Sequence, residues 1–195
     1  MLLSQEEFSS LTTERVRYHG WWTMEELRKL GHVVPIASSQ DFFLDRCSQL
    51  FQLIERLKPG PLKQLLQQLG LKQEDFRVLG DIGSLRLLGT ICQFSELATE
   101  TGLGLISDFT TLHASWNKDR RVQVVTPLLG LLGFRNLRSH VQGASREKKL
   151  NDALQAFCQD PAEMKGGWGL ALDRVYDEIA ASLWGVRDLI SAASR

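Results

Sequence analysis

Apolar residues recur at three- and four-residue steps along most of this 195-residue chain, a spacing that predicts helices. The first stripe, from Asp41, is Phe42, Phe43, Cys47, Leu50, Phe51, Ile54 and Leu57, with Ser38 or Ser39 placed to cap it. Lys58-Pro59-Gly60-Pro61 is expected to break that helix, and a second one runs from Leu62 to Leu69 and stops at Gly70. Leu79, Ile82, Leu85, Leu88, Ile91, Cys92 and Leu97 then stripe a segment from Glu74 to Thr101, read as one long helix or two abutting ones. Gly80, Gly83 and Gly89 each lower its helix propensity by about 1 kcal/mol relative to alanine. They are therefore expected where a neighbouring helix comes close.

Beyond the break at Thr101-Gly102-Leu103-Gly104, Leu105 to Trp116 reads as a helix and Asn117–Arg121 as a polar connection. Val122–Val125 is the one clear β-like alternation, and without a partner strand it reads as loop or helix start. Thr126 suits an N-cap and Pro127 the first helical position. The helix they open passes through Leu128, Leu129, Leu131, Leu132 and Phe134 into Arg135–His140, with Gly143 as a C-terminal stop. Ala144 to Gln159 gives a further amphipathic helix, ended by Asp160-Pro161. Lys165-Gly166-Gly167 is a loop, and Trp168 to about Ala193 is the last long helix. Helices dominate and no segment repeats, so the expectation is an all-α bundle over residues 41–195. Residues 1–40 read as an N-terminal extension or arm, with short helices at Ser4–Leu11 and Met24–Leu30. Its Trp21–Trp22 pair suits either a base-stacking platform or a core cover.

Composition narrows the classes. Hydrophobic residues make up 43% of the chain, enough for one good core. Lys+Arg and Asp+Glu both number 23, which excludes a protein that coats nucleic acid through bulk charge and leaves room for a local basic cleft. Cys47, Cys92 and Cys158 form no CxxC, so they read as reduced interior thiols. The N-terminus lacks the basic start and apolar core of a signal peptide. The longest apolar stretch, Val124 to Phe134, is too short to span a bilayer. These readings point to a cytoplasmic protein without a membrane partner.

The phosphate-loop, dinucleotide-binding, HExxH and GxSxG signatures are all missing. His19, His32 and His113 have no carboxylate or histidine at metal-ligand spacing, and each reads as a surface or packing residue; Arg120-Arg121 reads as a solvated turn or a steering site for phosphate. The remaining concentration of chemistry is Arg135-Asn136-Leu137-Arg138-Ser139-His140. An imidazole exchanges protons near neutral pH, a guanidinium stabilises charge on a scissile phosphate, and an amide orients either of them. That set suits transesterification of RNA and requires neither metal nor cofactor. The same residues also suit a plainer arrangement, with Arg135 and Arg138 pairing locally and His140 at a solvated helix edge. On one helix Asn136 and His140 share a face, whereas Arg135 and His140 sit about 140° apart. Arginine's length, a local distortion or a second subunit would have to bring them together.

This stretch resembles the HEPN superfamily, small all-α bundles marked by Arg-x(4–6)-His with a polar residue, often Asn, directly after the arginine. The motif covers six residues, and the helical pattern extends the likeness over roughly residues 41–195. The resemblance implies an up-and-down helical bundle of HEPN type and a metal-independent endoribonuclease of a toxin or an antiviral or CRISPR-linked defence system. Arg135 and His140 from two protomers would meet across a homodimer. His140 would move protons, Arg135 would bind phosphate and Asn136 would position. Arg138 and Ser139 are auxiliary RNA-binding candidates, and Glu96 and Asp81 are candidates for a further polar group. RNA, a second copy, and an antitoxin or defence-complex protein are the implied partners. The chain departs from toxins that continue His-x-Tyr, having His140-Val141-Gln142, so silencing at that tyrosine does not carry over. Some members are non-catalytic helical adaptors, which leaves an interaction module as the alternative.

Overall fold

A computed structural model of the chain describes residues 35–80, 83–140, 145–157, 164 and 167–194, without the side chains of Ser139, His140 and Ser145. Backbone contacts set Ile36–Arg195 apart as one unit, and every helix below belongs to it. Trp21, Trp22, His19, His32 and the short helices expected before residue 31 lie outside the described residues, as do Asp81, Gly143 and Cys158.

The described residues are all-helical. In chain order they form α1 (Gln40–Ile54), α2 (Pro59–Leu69), α3 (Gln73–Leu79), α4 (Ser84–Thr101) and α5 (Phe109–Ala114), then a 3₁₀ turn at Gln123–Val125. α6 (Thr126–His140), α7 (Ser145–Gln155) and α8 (Gly169–Ala193) follow, and no strand occurs among these residues. None of the helices is long and apolar enough to cross a membrane.

Ser39 starts α1: its extended backbone and its hydroxyl, which accepts from the Phe42 amide at 3.2 Å, satisfy one of the free amides of the first turn. The extended residues before it are laced to the start of α8, where the Trp168 and Gly169 amides donate to the Ser38 and Ile36 carbonyls at 2.9 and 3.0 Å. At Gly167 (φ +121°) a Cβ would lie 2.2 Å from the Ile36 carbonyl oxygen, so glycine alone permits that approach.

Aromatic packing joins the helices that carry the motif. Phe43 of α1 meets Phe134 of α6 edge-on, with centroids 5.0 Å apart, and Phe134 stacks on Phe157 beyond α7 at 5.4 Å. Leu128, Leu131, Phe134 and Leu137, at three-residue steps along α6, are all buried. α6 comes so close to α7 that a Cβ on Gly130 would fall 2.5 Å from the Ala156 methyl. A further cluster gathers Leu66, Phe76, Leu87, Ile91, Phe94, Phe109 and Leu112 from α2 to α5, and Ile190 and Ala193 of α8 reach it. α8, 25 residues and about 37 Å long, thus also packs along α1, α4 and α6.

Several boundaries differ from the sequence reading. Lys58-Pro59-Gly60-Pro61 does not merely break the chain: α2 begins at Pro59, because first-turn amides need no intrahelical partner and proline fits there. Glu74 to Thr101 is two helices, parted after Leu79 by Gly80 at φ +74°, with Gly83 as the N-cap of α4. Of the three glycines in that segment, Gly89 alone sits inside a helix, against Val125. The expected helix at Leu105–Trp116 shrinks to Phe109–Ala114. Ahead of it, Asp108 accepts from the Gly104 amide at 2.9 Å and the Ser107 hydroxyl at 2.8 Å, holding a turn. Thr126 has helical dihedrals (φ −56°, ψ −45°) and is the first residue of α6, not its cap, since the 3₁₀ turn flows directly into the helix.

Candidate functional site

The candidate site is the C-terminal third of α6. Leu131, Phe134 and Leu137 fix this helix in the core, so the residues between them reach its edges and the solvent. Arg135 leaves on the side of α1. Its guanidinium lies 5.9 Å from the centroid of the Phe51 ring and 3.4 Å from a carboxylate oxygen of Glu55, the residue that ends α1. It also donates to the Asn136 side-chain oxygen at 3.3 Å, so these two motif residues are directly linked.

Arg138, one turn further on, pairs with Asp45 of α1 through Nε. The hydrogen bond to Asp45, then its charge and that of Asp41, hold the Arg138 guanidinium above its ordinary pKa. Because the later arginine of α6 meets the earlier acid of α1, the two helices run antiparallel. A third pair extends the row: Arg146 of α7 lies 3.5 Å from Asp41, one turn before Asp45. Three arginines of α6 and α7 therefore face three carboxylates of α1 and its end. All six side chains are a third or more exposed.

Arg135, Asn136 and Arg138 are thus placed, and the structure brings the first two into contact. The side chains of Ser139 and His140 lie outside the described residues, although the backbone of both continues α6. Helical register puts His140 about 140° from Arg135 and about 40° from Asn136. Of the further polar candidates, Glu96 accepts from Arg120 Nε at 2.8 Å, and Glu100 takes the other end of the same guanidinium. Glu100 first, then Glu96, raise the Arg120 pKa against the opposing effect of burial. Arg120 is therefore committed to α4, whereas Arg121 beside it is exposed.

Outside the site, His113 hydrogen-bonds Asp75, 38 positions away, at 3.1 Å and stacks among Phe94, Phe109 and Trp116. It is a packing histidine with a carboxylate that its neighbours in sequence did not reveal. Trp116 donates to Gln93, whose amide in turn holds the Lys118 and Arg120 carbonyls and closes the polar connection onto α4. Cys47 and Cys92 are buried free thiols. Burial pushes the Cys47 thiol well up, and burial with the nearby Glu96 charge takes Cys92 to about 12. Among the described residues no three His, Cys, Asp or Glu side chains gather as a metal site.

The acids of α1 and Arg146 are the site residues that sequence reasoning missed. Asp41 and Asp45 stand four apart on one helix face, a visible signal, but nothing local says which cations they meet. A scan of the chain against known protein families finds no match, and searches of curated proteins and of solved structures find none either.

Proposed function

We propose that the chain is a metal-independent endoribonuclease with a HEPN-type bundle, acting as a homodimer on single-stranded or looped RNA in a toxin or antiviral defence setting. The observation that supports this reading most is the Arg135–Asn136 contact at the end of a core-anchored helix, with the guanidinium half-exposed. In the proposed reaction the ribose 2′-hydroxyl attacks the adjacent phosphorus and the bond to the 5′-oxygen breaks, leaving a 2′,3′-cyclic phosphate and a 5′-hydroxyl. His140 moves the proton, Arg135 bears the charge that builds on the phosphate, and Asn136 orients the guanidinium it touches. Unstacked nucleotides are favoured because the 2′-hydroxyl must align with its leaving group. A second protomer supplies the partner residue that register turns away in the first.

Purified protein incubated with mixed RNA in EDTA should yield cyclic-phosphate ends, and Arg135→Ala and His140→Ala should each lower that cleavage at least about 100-fold. Cleavage that survives in the double variant sinks the proposal.

A non-catalytic interaction module or defence-complex adaptor is the second reading. It is favoured by one specific observation: Arg135 and Arg138 both hold carboxylates of their own chain. It calls for no turnover on any RNA pool together with a stable complex formed through this bundle.

A further inference from the structure

The row of ion pairs between α1 and the α6–α7 corner combines features that stability alone does not explain. Asp41 and Asp45 are separated by one helical turn, about 6 Å along the axis, and meet Arg146 and Arg138 respectively. The four side chains are all more than two-fifths exposed, and exposed pairs contribute only about 0.2–1 kcal/mol each. α7 also carries Lys148 and Lys149, both exposed, beside Arg146 in its first turns. Cations there oppose the helix dipole, so they do not serve the stability of α7. Meanwhile Leu137, Leu150 and Leu154 already bury the contacts that hold α6 and α7 to the core. The cations are grouped, weakly held and accessible.

We infer that Arg138 and Arg146 form a phosphate-binding pair for the backbone of single-stranded RNA, and that Asp41 and Asp45 occupy it in the free chain as internal stand-ins for two phosphates. The inference rests on the RNA reading proposed above and adds to it a substrate track beside Arg135, with a built-in competitor. Two guanidiniums one turn apart each offer forked donors to a phosphate, as they do to a carboxylate. An incoming strand trades two exposed carboxylates for two phosphates and brings further charge to Lys148 and Lys149. The competitor keeps the track nearly neutral, in keeping with a chain whose formal net charge is zero. It also selects against isolated anions, which pay the displacement without the gain of neighbouring phosphates.

The test measures binding, separately from cleavage, on a fluorescein-labelled single-stranded RNA whose 2′-O-methyl riboses cannot be cut. Asp41→Asn with Asp45→Asn in the full chain should tighten binding about 2- to 30-fold at low salt, the range that two exposed pairs allow. The slope of log affinity against log salt should steepen by about 1.4, which corresponds to two more phosphate contacts on a single strand. Arg138→Gln with Arg146→Gln should weaken binding and cancel the gain when combined with the asparagines. Asp119→Asn with Asp177→Asn makes the same change in net charge on exposed residues elsewhere and should leave affinity within about twofold. The inference is overturned if the Asp41/Asp45 variant binds no tighter, if the gain survives loss of both arginines, or if the distant charge change matches it. A lower melting temperature with unchanged binding would identify the pairs as structural staples and also overturn it. Failure of the nuclease reading shows separately, as intact ordinary RNA beside unimpaired binding of the methylated strand.

Discussion

Single side chains in this protein change character when the partner comes from far along the chain. Asp108 is an exception, because both its partners are local: the Ser107 hydroxyl first, then the Gly104 amide, lower its pKa. A carboxyl whose folded pKa lies below its unfolded value adds stability above the ordinary carboxylate range and loses it as pH falls through the folded value. Asp108→Asn should therefore lower the urea midpoint near neutral pH, with the gap to wild type closing in acid. An unchanged gap across that range would assign the turn to shape, not charge. Ser107 and Gly104 were legible as a break, whereas the Asp75 partner of His113 was not, since it comes from another helix.

At the scale of elements, glycine decides how α6 sits. Gly130 faces Ala156, Phe157 and the Ala153 carbonyl, with an added Cβ 2.5, 2.8 and 3.3 Å from them. Gly130→Val should drive α7 off α6 and cost about 1–3 kcal/mol by urea denaturation, as overpacking does. Gly60, whose Cβ would meet nothing within 4 Å in the first turn of α2, is the control. Gly60→Ala there should gain about 0.4–1 kcal/mol by restricting the unfolded chain. The apolar stripe of α6 was readable residue by residue, and Leu128, Leu131, Phe134 and Leu137 are indeed its buried face. The stripe of Glu74–Thr101 was equally readable but ran across a break. Periodicity carries over a short interruption, while Gly80 at positive φ ends the hydrogen-bond ladder.

For the whole molecule, the nuclease proposal makes the site a property of two copies. Mixing inactive Arg135→Ala and His140→Ala proteins under conditions that exchange subunits should restore roughly a quarter of wild-type cleavage. Half of the dimers are then mixed, and one of the two equivalent sites in each is intact. A site complete within one protomer gives no recovery on mixing. The same measurement repeated on dilution should show cleavage falling as the dimer dissociates.

The sequence by itself determined the all-α class, the apolar faces of α1, α4, α6 and α8, the Ser39 cap and the position of the Arg135–Asn136 pair at the end of a core helix. Those follow from spacing, which a chain carries at every length scale below a helix. Only the tertiary structure decided where the motif's charges go. Arg135 reaches Glu55, Arg138 reaches Asp45 and Arg146 reaches Asp41 because α1 runs antiparallel beside α6, bringing together residues 80 to 105 positions apart. Coulomb attraction acts through space and leaves no periodic trace in a sequence. The cations that the sequence offered as a phosphate site are, in the folded chain, cations already holding carboxylates.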